Sequence, residues 1–155
     1  MLKKIYNKVT HEWDTSVEEA LKSFIRLPAL SPDFDKKWEE NGVLLKALED
    51  AQAWAEKQGI KGLRCEIIKD DGFTPCLFVE VDATSDKKFE RSVFFYGHLD
   101  KQPPNEGWDQ DKSAWEPVIQ NGRLYGRGAV DDGYAFYTSL AAVKALQTLG
   151  IPHPR

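Results

Sequence analysis

The chain has 155 residues, of which 41% are hydrophobic and 12% aromatic, enough for one domain with its own core and too few to predict two. Its formal net charge is −4, and acidic and basic residues are interleaved along the chain, which argues against nucleic acid as a partner. No apolar run reaches the length of a membrane span, and residues 1–13 lack the apolar core and cleavage site of a signal peptide. We therefore expect a soluble, cytoplasmic protein without membrane contact.

Two helices are predicted in the first part of the chain. Apolar residues at helical spacing from Val17 predict a helix that ends by Leu27, before Pro28, and Thr15 with Glu18 has the spacing of a capping box at its start. A second helix is predicted over residues 33–58, although Asn41 and Gly42 weaken its first part.

Three strands are predicted after these helices. Residues 63–67 alternate between apolar and polar, residues 76–81 form a second apolar run, and "KDDGF" between them supplies a turn. Residues 92–97 are continuously apolar, which is typical of a central strand covered on both faces. We interpret Cys65 and Cys76, which lie within the strand-like runs, as small buried thiols.

The last third of the chain predicts a loop, a hairpin and a helix. The irregular residues 101–117 are rich in Pro, Asp and Trp, the hairpin turns at Asn121 and Gly122, and the final helix ends at Leu149. Together the elements predict an α/β fold in which a mixed β-sheet is flanked by helices.

His98 and Asp100 follow the predicted central strand directly. Ligands of open α/β sheets bind beyond the carboxyl ends of the strands. On an extended backbone these two side chains project to the same side, so that Asp100 can orient the imidazole and leave its second nitrogen for a metal. A single His-x-Asp also occurs by chance in many chains, so this motif needs further support.

The support comes from Asp131 and Asp132, which follow "GRGAV" and open the last helix. Two readings of this pair stand side by side. The carboxylates complement the dipole at the start of the helix, or one of them bridges two cations, as two-metal hydrolases require.

The motifs "YGHLDKQPP", "GW", "WEP" and "NGRLYGRGAVDDG", taken in this order, resemble the zinc-dependent exopeptidases. That family includes carnosine and other cytosolic dipeptidases, glutamate carboxypeptidases, aminoacylases and acetylornithine deacetylase. The resemblance is dense from about Ser92 to Arg155, and before that only the order of helices and strands carries it. It implies that residues 1–155 are one domain, the N-terminal and incomplete part of a zinc-exopeptidase catalytic domain, with no lid or dimerisation domain.

The resemblance also implies roles for three residues. His98 matches the family's first zinc ligand, Asp131 matches the carboxylate that bridges the two zinc ions, and Asp100 matches the catalytic acid that holds the histidine. The bond after the bridging aspartate is cis in relatives, so we expect a cis bond before Asp132. Many relatives continue with Lys and Gly, where this chain has Gly133 and Tyr134.

The activity implied is hydrolysis of a peptide bond through a water that bridges two metals, with a glutamate as general base. In relatives that glutamate and further ligands follow later in the chain. The pairs Glu18–Glu19 and Glu39–Glu40 of this chain read as solvated helix faces, and His11 and His153 as surface residues. We therefore expect a homodimeric parent enzyme with two zinc ions, and a chain that binds metal weakly and is inactive alone.

Three functional interpretations stay open. The parent cleaves dipeptides or trims a terminal residue from a peptide, or it hydrolyses N-acyl amino acids as a deacylase. The third interpretation is a non-catalytic binding module that uses the aromatic loop with Trp108 and Trp115. The segment "LDKQPP" favours the dipeptidase branch by resemblance.

Overall fold

The computed structural model describes residues 1–84 and 91–155. In chain order its helices are α1 (Leu2–Glu12), α2 (Glu18–Arg26), α3 (Trp38–Asn41), α4 (Val43–Glu56) and α5 (Gly133–Thr148), and its strands are β1 (Leu63–Ile68), β2 (Cys76–Val81), β3 (Val118–Gln120) and β4 (Arg123–Tyr125). Helices and small antiparallel sheets are combined, so the predicted α/β class is confirmed.

The first helical region is longer than its sequence pattern predicts. A π-helical turn, Trp13–Val17, joins α1 to α2, so no helix begins at Thr15 and the predicted capping box is wrong. The Thr15 hydroxyl instead donates to the His11 carbonyl at 2.7 Å, as hydroxyl side chains do inside helices. The predicted end is confirmed, because α2 stops at Arg26 and Leu27 is extended.

The predicted second helix is divided into α3 and α4. Gly42 separates them with φ +68°, a left-handed conformation that interrupts a helix and that glycine adopts at little cost. The buried face of α4 is formed by Leu44, Ala47, Leu48, Ala51 and Ala55.

Two antiparallel hairpins confirm four of the predicted strand segments. β1 pairs with β2, with Leu63 opposite Val81, and β3 pairs with β4 across the Asn121–Gly122 turn. Both turn residues have positive φ, 53° and 73°, as a type I′ turn requires. Cys65 is half-buried, but Cys76 is exposed, so its predicted burial is wrong; strand alternation puts it on the face opposite Leu77.

The prediction of a buried central strand over residues 92–97 is wrong for the described part of the chain. These residues have no regular secondary structure, and Phe94 and Tyr96 are 84% and 77% exposed. The Val93 amide donates to the Arg155 carbonyl at 2.8 Å. A central strand needs hydrogen-bonded neighbours on both sides, and among the described residues the strands form two separate two-stranded sheets. The predicted surface connection of residues 82–90 lies outside the described residues from Ser85 onward.

The core lies between α2, α4 and α5. Phe24 and Tyr137 meet with ring centroids 6.4 Å apart, and Trp54 packs edge-on against Tyr137 at 4.9 Å. A smaller cluster around Ala55, Ile60 and Leu140 connects the first hairpin to α4 and α5. Within residues 1–84 and 91–155, no helix has both the length and the hydropathy of a membrane span.

Two buried polar side chains support this packing. His153 is 5% exposed, so its predicted surface position is wrong; its Nδ1 donates to the Pro154 carbonyl at 2.7 Å and its Nε2 lies 3.1 Å from Gln147 Nε2. Glu12, 3% exposed, joins α1 to α5 through Lys8 at 2.6 Å and Lys144 at 2.7 Å.

The Glu12 ion pairs predict a pH dependence of stability. Burial alone would raise the pKa of Glu12, but Lys144 and Lys8 hold it below its ordinary value of 4.5. The stabilisation is therefore complete above pH 4.5 and is lost as the pH falls through the lowered folded pKa. Glu12→Gln should lower the free energy of unfolding at pH 7 by about 3 kcal/mol. In this variant the free energy of unfolding should also decrease less between neutral and acid pH than in the unsubstituted chain.

The measurement is urea denaturation from pH 7 to pH 3. The matched control is Glu19→Gln, since Glu19 pairs with Lys22 from a side chain that is 73% exposed. Equal pH profiles for Glu12→Gln and the unsubstituted chain would contradict the prediction.

Candidate metal centre

Two loops bring the candidate ligands together. One runs from Gly97 to Lys101, and the other from Gly126 into the first turn of α5. His98 Nε2 lies 3.1 Å from Asp131 Oδ1, and the His98 side chain is 34% exposed, Asp131 61%. Residues that are 33 positions apart in the sequence therefore meet at one accessible point.

Asp100 holds the other side of the imidazole. His98 Nδ1 lies 3.0 Å from the Asp100 backbone carbonyl and 3.3 Å from its carboxylate Oδ1. The carbonyl accepts the shorter hydrogen bond, whereas the sequence pattern indicated the carboxylate. A carbonyl can only accept, so Nδ1 carries a proton whatever the charge of the ring.

The electrostatics of the site favour a cation. Burial alone would lower the pKa of His98, but the Asp100 carbonyl and the carboxylates of the three nearby aspartates raise it above its ordinary value. A neutral imidazole with its proton on Nδ1 has a lone pair on Nε2, which then faces a carboxylate oxygen. Two electron-pair donors at this distance are stabilised by a proton or a metal ion between them.

Glycines allow the two loops to approach closely. A Cβ atom on Gly97 would lie 3.2 Å from both Ala135 Cβ and Asp132 Oδ2, and a Cβ on Gly133 would lie 2.2 Å from Phe24 Cε1. The Asp131–Asp132 peptide bond is cis, as predicted. Asp132 is the N-cap residue of α5 but makes no side-chain capping hydrogen bond, so its carboxylate does not have the usual capping role.

The donor set suits zinc but is small. An imidazole nitrogen and a carboxylate oxygen are both common zinc ligands, and structural or catalytic sites use three or four from the protein. Within the described residues, no group of three or more His, Cys, Asp or Glu side chains is arranged to hold a metal ion. The site is therefore a partial match to a zinc centre.

The other carboxylate and aromatic candidates lie apart from this point. Glu18 and Glu19 both pair with Lys22 on α2, at 2.6 and 2.9 Å; the Glu19 side chain is exposed, as predicted, whereas that of Glu18 is half-buried. Trp108 and Trp115 are half-buried, and the Trp108 indole donates to the Pro104 carbonyl at 2.7 Å. The loop therefore does not present freely exposed indole rings.

Sequence reasoning missed Lys101, which follows Asp100 and is 1% exposed. Burial lowers the pKa of its ammonium group to about 7. An isolated lysine in a polar segment usually indicates a surface residue, so its burial was not predicted. The one sequence signal for it is the position beside Asp100.

Comparisons with known proteins agree with the motifs. Residues 94–155 match the profile described as Peptidase family M20/M25/M40. The chain is 36% identical over 67 residues to Cys-Gly metallodipeptidase dug1 of Schizosaccharomyces pombe, covering 42% of this chain and 14% of that protein. It is 37% identical over 78 residues to Beta-Ala-His dipeptidase of Mus musculus, covering 47% and 15%.

A third relative is similar over more of the chain. Succinyl-diaminopimelate desuccinylase of Nitratiruptor is 29% identical over 131 residues, which are 83% of this chain and 29% of that protein. The chain thus spans less than a third of the length of each of these three curated relatives. The resemblance to this peptidase family is confirmed, and it is densest where the sequence motifs indicated.

The close contact at Gly133 yields a prediction. Gly133→Ala should destabilise the chain by about 1–3 kcal/mol, because the new Cβ overlaps the Phe24 ring in a closely packed core. Gly72→Ala is the control, since a Cβ there meets nothing within 4 Å and carries only the cost of a positive φ. Urea denaturation of both variants measures the difference, and equal losses of stability would contradict the described packing.

Proposed function

We propose that this chain supplies part of the metal centre of a zinc-dependent exopeptidase, of dipeptidase or carboxypeptidase type, that hydrolyses a peptide bond. The observation that carries the proposal is the meeting of His98 Nε2 and Asp131 Oδ1 at 3.1 Å, with Asp100 behind the imidazole. The similarity to a metallodipeptidase and a dipeptidase over the same segment supports it.

Each of the three residues has a distinct part in this proposal. His98 would hold a zinc ion through Nε2, Asp131 would bridge two zinc ions, and Asp100 would fix the imidazole through Nδ1. When bound, the ions supply Lewis acidity and an acidified water.

A deacylase is the second candidate. The desuccinylase relative covers 83% of this chain, more than either dipeptidase relative. Both reactions cleave an amide next to a carboxylate-bearing residue, so the described residues serve either substrate equally. The dipeptidase alternative stays first because the "LDKQPP" segment resembles that branch.

The chain alone is not proposed as a competent catalyst. His98 and Asp131 provide fewer ligands than zinc sites normally use, and none of the described glutamates lies in the site. Two free cysteines are compatible with the reducing conditions of the cytoplasm, where we place the protein.

Metal content tests the ligand count. After dialysis against buffer, the 155-residue chain should retain well under one zinc ion per molecule, because two protein ligands bind zinc weakly. Atomic absorption of the protein before and after adding zinc measures the stoichiometry. Asp131→Asn should remove the residual binding, whereas Asp109→Asn, on the exposed loop, should not. Retention of about two equivalents would overturn the incomplete-site proposal.

Activity of the full-length protein tests the reaction. With zinc present it should hydrolyse dipeptides, and Asp100→Ala should reduce kcat/KM about 10- to 100-fold, as loss of a partner that orients a metal ligand does. His11→Ala is the control, since His11 is exposed on α1. Parallel assays with N-acyl amino acids separate the alternatives. Turnover of acyl amino acids without turnover of dipeptides would favour the deacylase, and turnover of neither would refute both.

A further inference from the structure

Lys101 is buried in a cage of backbone carbonyls. Its Nζ donates to the carbonyls of Phe24 at 2.6 Å, Ile25 at 3.2 Å and Leu27 at 2.7 Å. An ammonium group has three N–H donors, so these acceptors use its whole hydrogen-bonding capacity. No donor is left for a substrate, and the group therefore acts on the protein itself.

The three carbonyls belong to the end of α2. The last carbonyls of a helix have no intrahelical partner and carry the negative end of the helix dipole, so a cation satisfies them well. This cation comes from a residue 77 positions after Phe24. The Lys101 amide also donates to the Ala29 carbonyl at 2.8 Å, and its own carbonyl accepts from Ser31 at 3.0 Å. Main chain and side chain together fix Lys101 to residues 24–31.

A second contact runs from the ammonium group to the other loop of the site. Lys101 Nζ lies 3.9 Å from the centroid of the Phe24 ring. The edge of the same ring excludes a Cβ on Gly133, which would lie 2.2 Å from Phe24 Cε1. A Cβ on Gly128 would lie 2.9 Å from the same ring atom and 2.8 Å from Lys101 Cε. The ring is therefore a spacer between the Lys101 ammonium group and the turn that carries Asp131, and the lysine stem also packs against that turn at Gly128.

The charge of Lys101 is costly, which indicates that packing alone does not explain it. Removing an ammonium group from water is unfavourable, and an apolar side chain of similar length would fill the same volume. Such a side chain would leave the Ile25 and Leu27 carbonyls without the ammonium donor, and the Phe24 carbonyl with the Leu27 amide alone. The lysine thus provides what an apolar residue cannot, a fixed connection between the end of α2 and both loops.

We propose that Lys101 is a positioning residue that sets the distance between His98 and Asp131. It holds the segment after His98 to the end of α2. Through the Phe24 ring it also holds that segment to the turn before α5. The use of His98 and Asp131 as ligands rests on the proposed function. The positioning itself is a property of the metal-free chain.

The test compares Lys101→Met with Lys112→Met. Methionine keeps the length of the side chain and removes its donors. Lys112 is a matched control because its side chain is 8% exposed and bonded to Asp109 and Asp111, away from α2. The readout is the ¹⁵N–¹H NMR spectrum of the imidazole rings in the metal-free chain, with His11 and His153 as internal references.

The expected result is specific to His98. The unsubstituted chain and Lys112→Met should show one His98 state with the proton fixed on Nδ1, and Lys101→Met should show averaged Nδ1 and Nε2 signals from mixed tautomers. Zinc titration followed on the same signals should show affinity about 10- to 100-fold weaker for Lys101→Met. Unchanged His98 signals and zinc affinity, with only a lower unfolding midpoint, would overturn the proposal.

Two further outcomes are distinguishable. If the His98 signals change in Lys101→Met but zinc binds none of the proteins, the positioning proposal stands and the proposed function fails. If Lys101→Met does not fold, Phe24→Leu replaces it, since this variant keeps the carbonyl bonds and removes the spacer ring. Mixed His98 tautomers in folded Phe24→Leu support the proposal, and signals like those of the unsubstituted chain overturn it.

Discussion

The contact between the Phe24 ring and the glycines that precede and open α5 is the constraint on which the rest of the structure depends. It sets how closely α2 approaches α5, because a Cβ on Gly133 would lie 2.2 Å from the ring. That approach places the Asp131 turn beside His98 and completes the core around Tyr137. The same close contact is therefore needed both to pack the core and to place the candidate ligands. This explains why the site motif is rich in glycine.

The buried polar side chains follow a common rule. Glu12, Lys101 and His153 are each 5% exposed or less, and each has at least one hydrogen-bond or ion-pair partner on another element. Glu12 joins α1 to α5, and Lys101 joins the end of α2 to the loop after His98. Because a buried polar group without its partner is costly, these links favour one arrangement of the helices over alternative packings of similar apolar area.

Local signals explain which parts of the fold the sequence could predict. The end of α2 before Pro28, the Asn121–Gly122 turn and the hairpin of β1 and β2 each follow from a few neighbouring residues, and each is confirmed. The absence of strand structure in residues 92–97 was not predictable in this way, since an apolar run indicates a strand but not whether hydrogen-bonded neighbours are present. The burial of Lys101 was missed for the same reason, because its acceptors lie more than 70 positions away.

In the candidate site too, local contacts could be predicted from the sequence and distant ones could not. The pairing of His98 with Asp100 is local, and the sequence motif was sufficient to propose it, although the backbone carbonyl takes the shorter bond. The meeting with Asp131 spans 33 positions and was inferred from resemblance to a family. Local spacing alone leaves an aspartate pair at the start of a helix equally consistent with a dipole effect.

The exposed segment before His98 has a consequence for the self-association of the chain. Val93, Phe94, Phe95 and Tyr96 are 54–84% exposed, and no charge lies between Arg91 and His98. Such a stretch is a template for intermolecular β-pairing and aggregation. A charge or proline within it would protect the chain, but it would also shift the imidazole that the segment delivers. Residues 92–97 therefore bear both on self-association of the chain and on the position of His98.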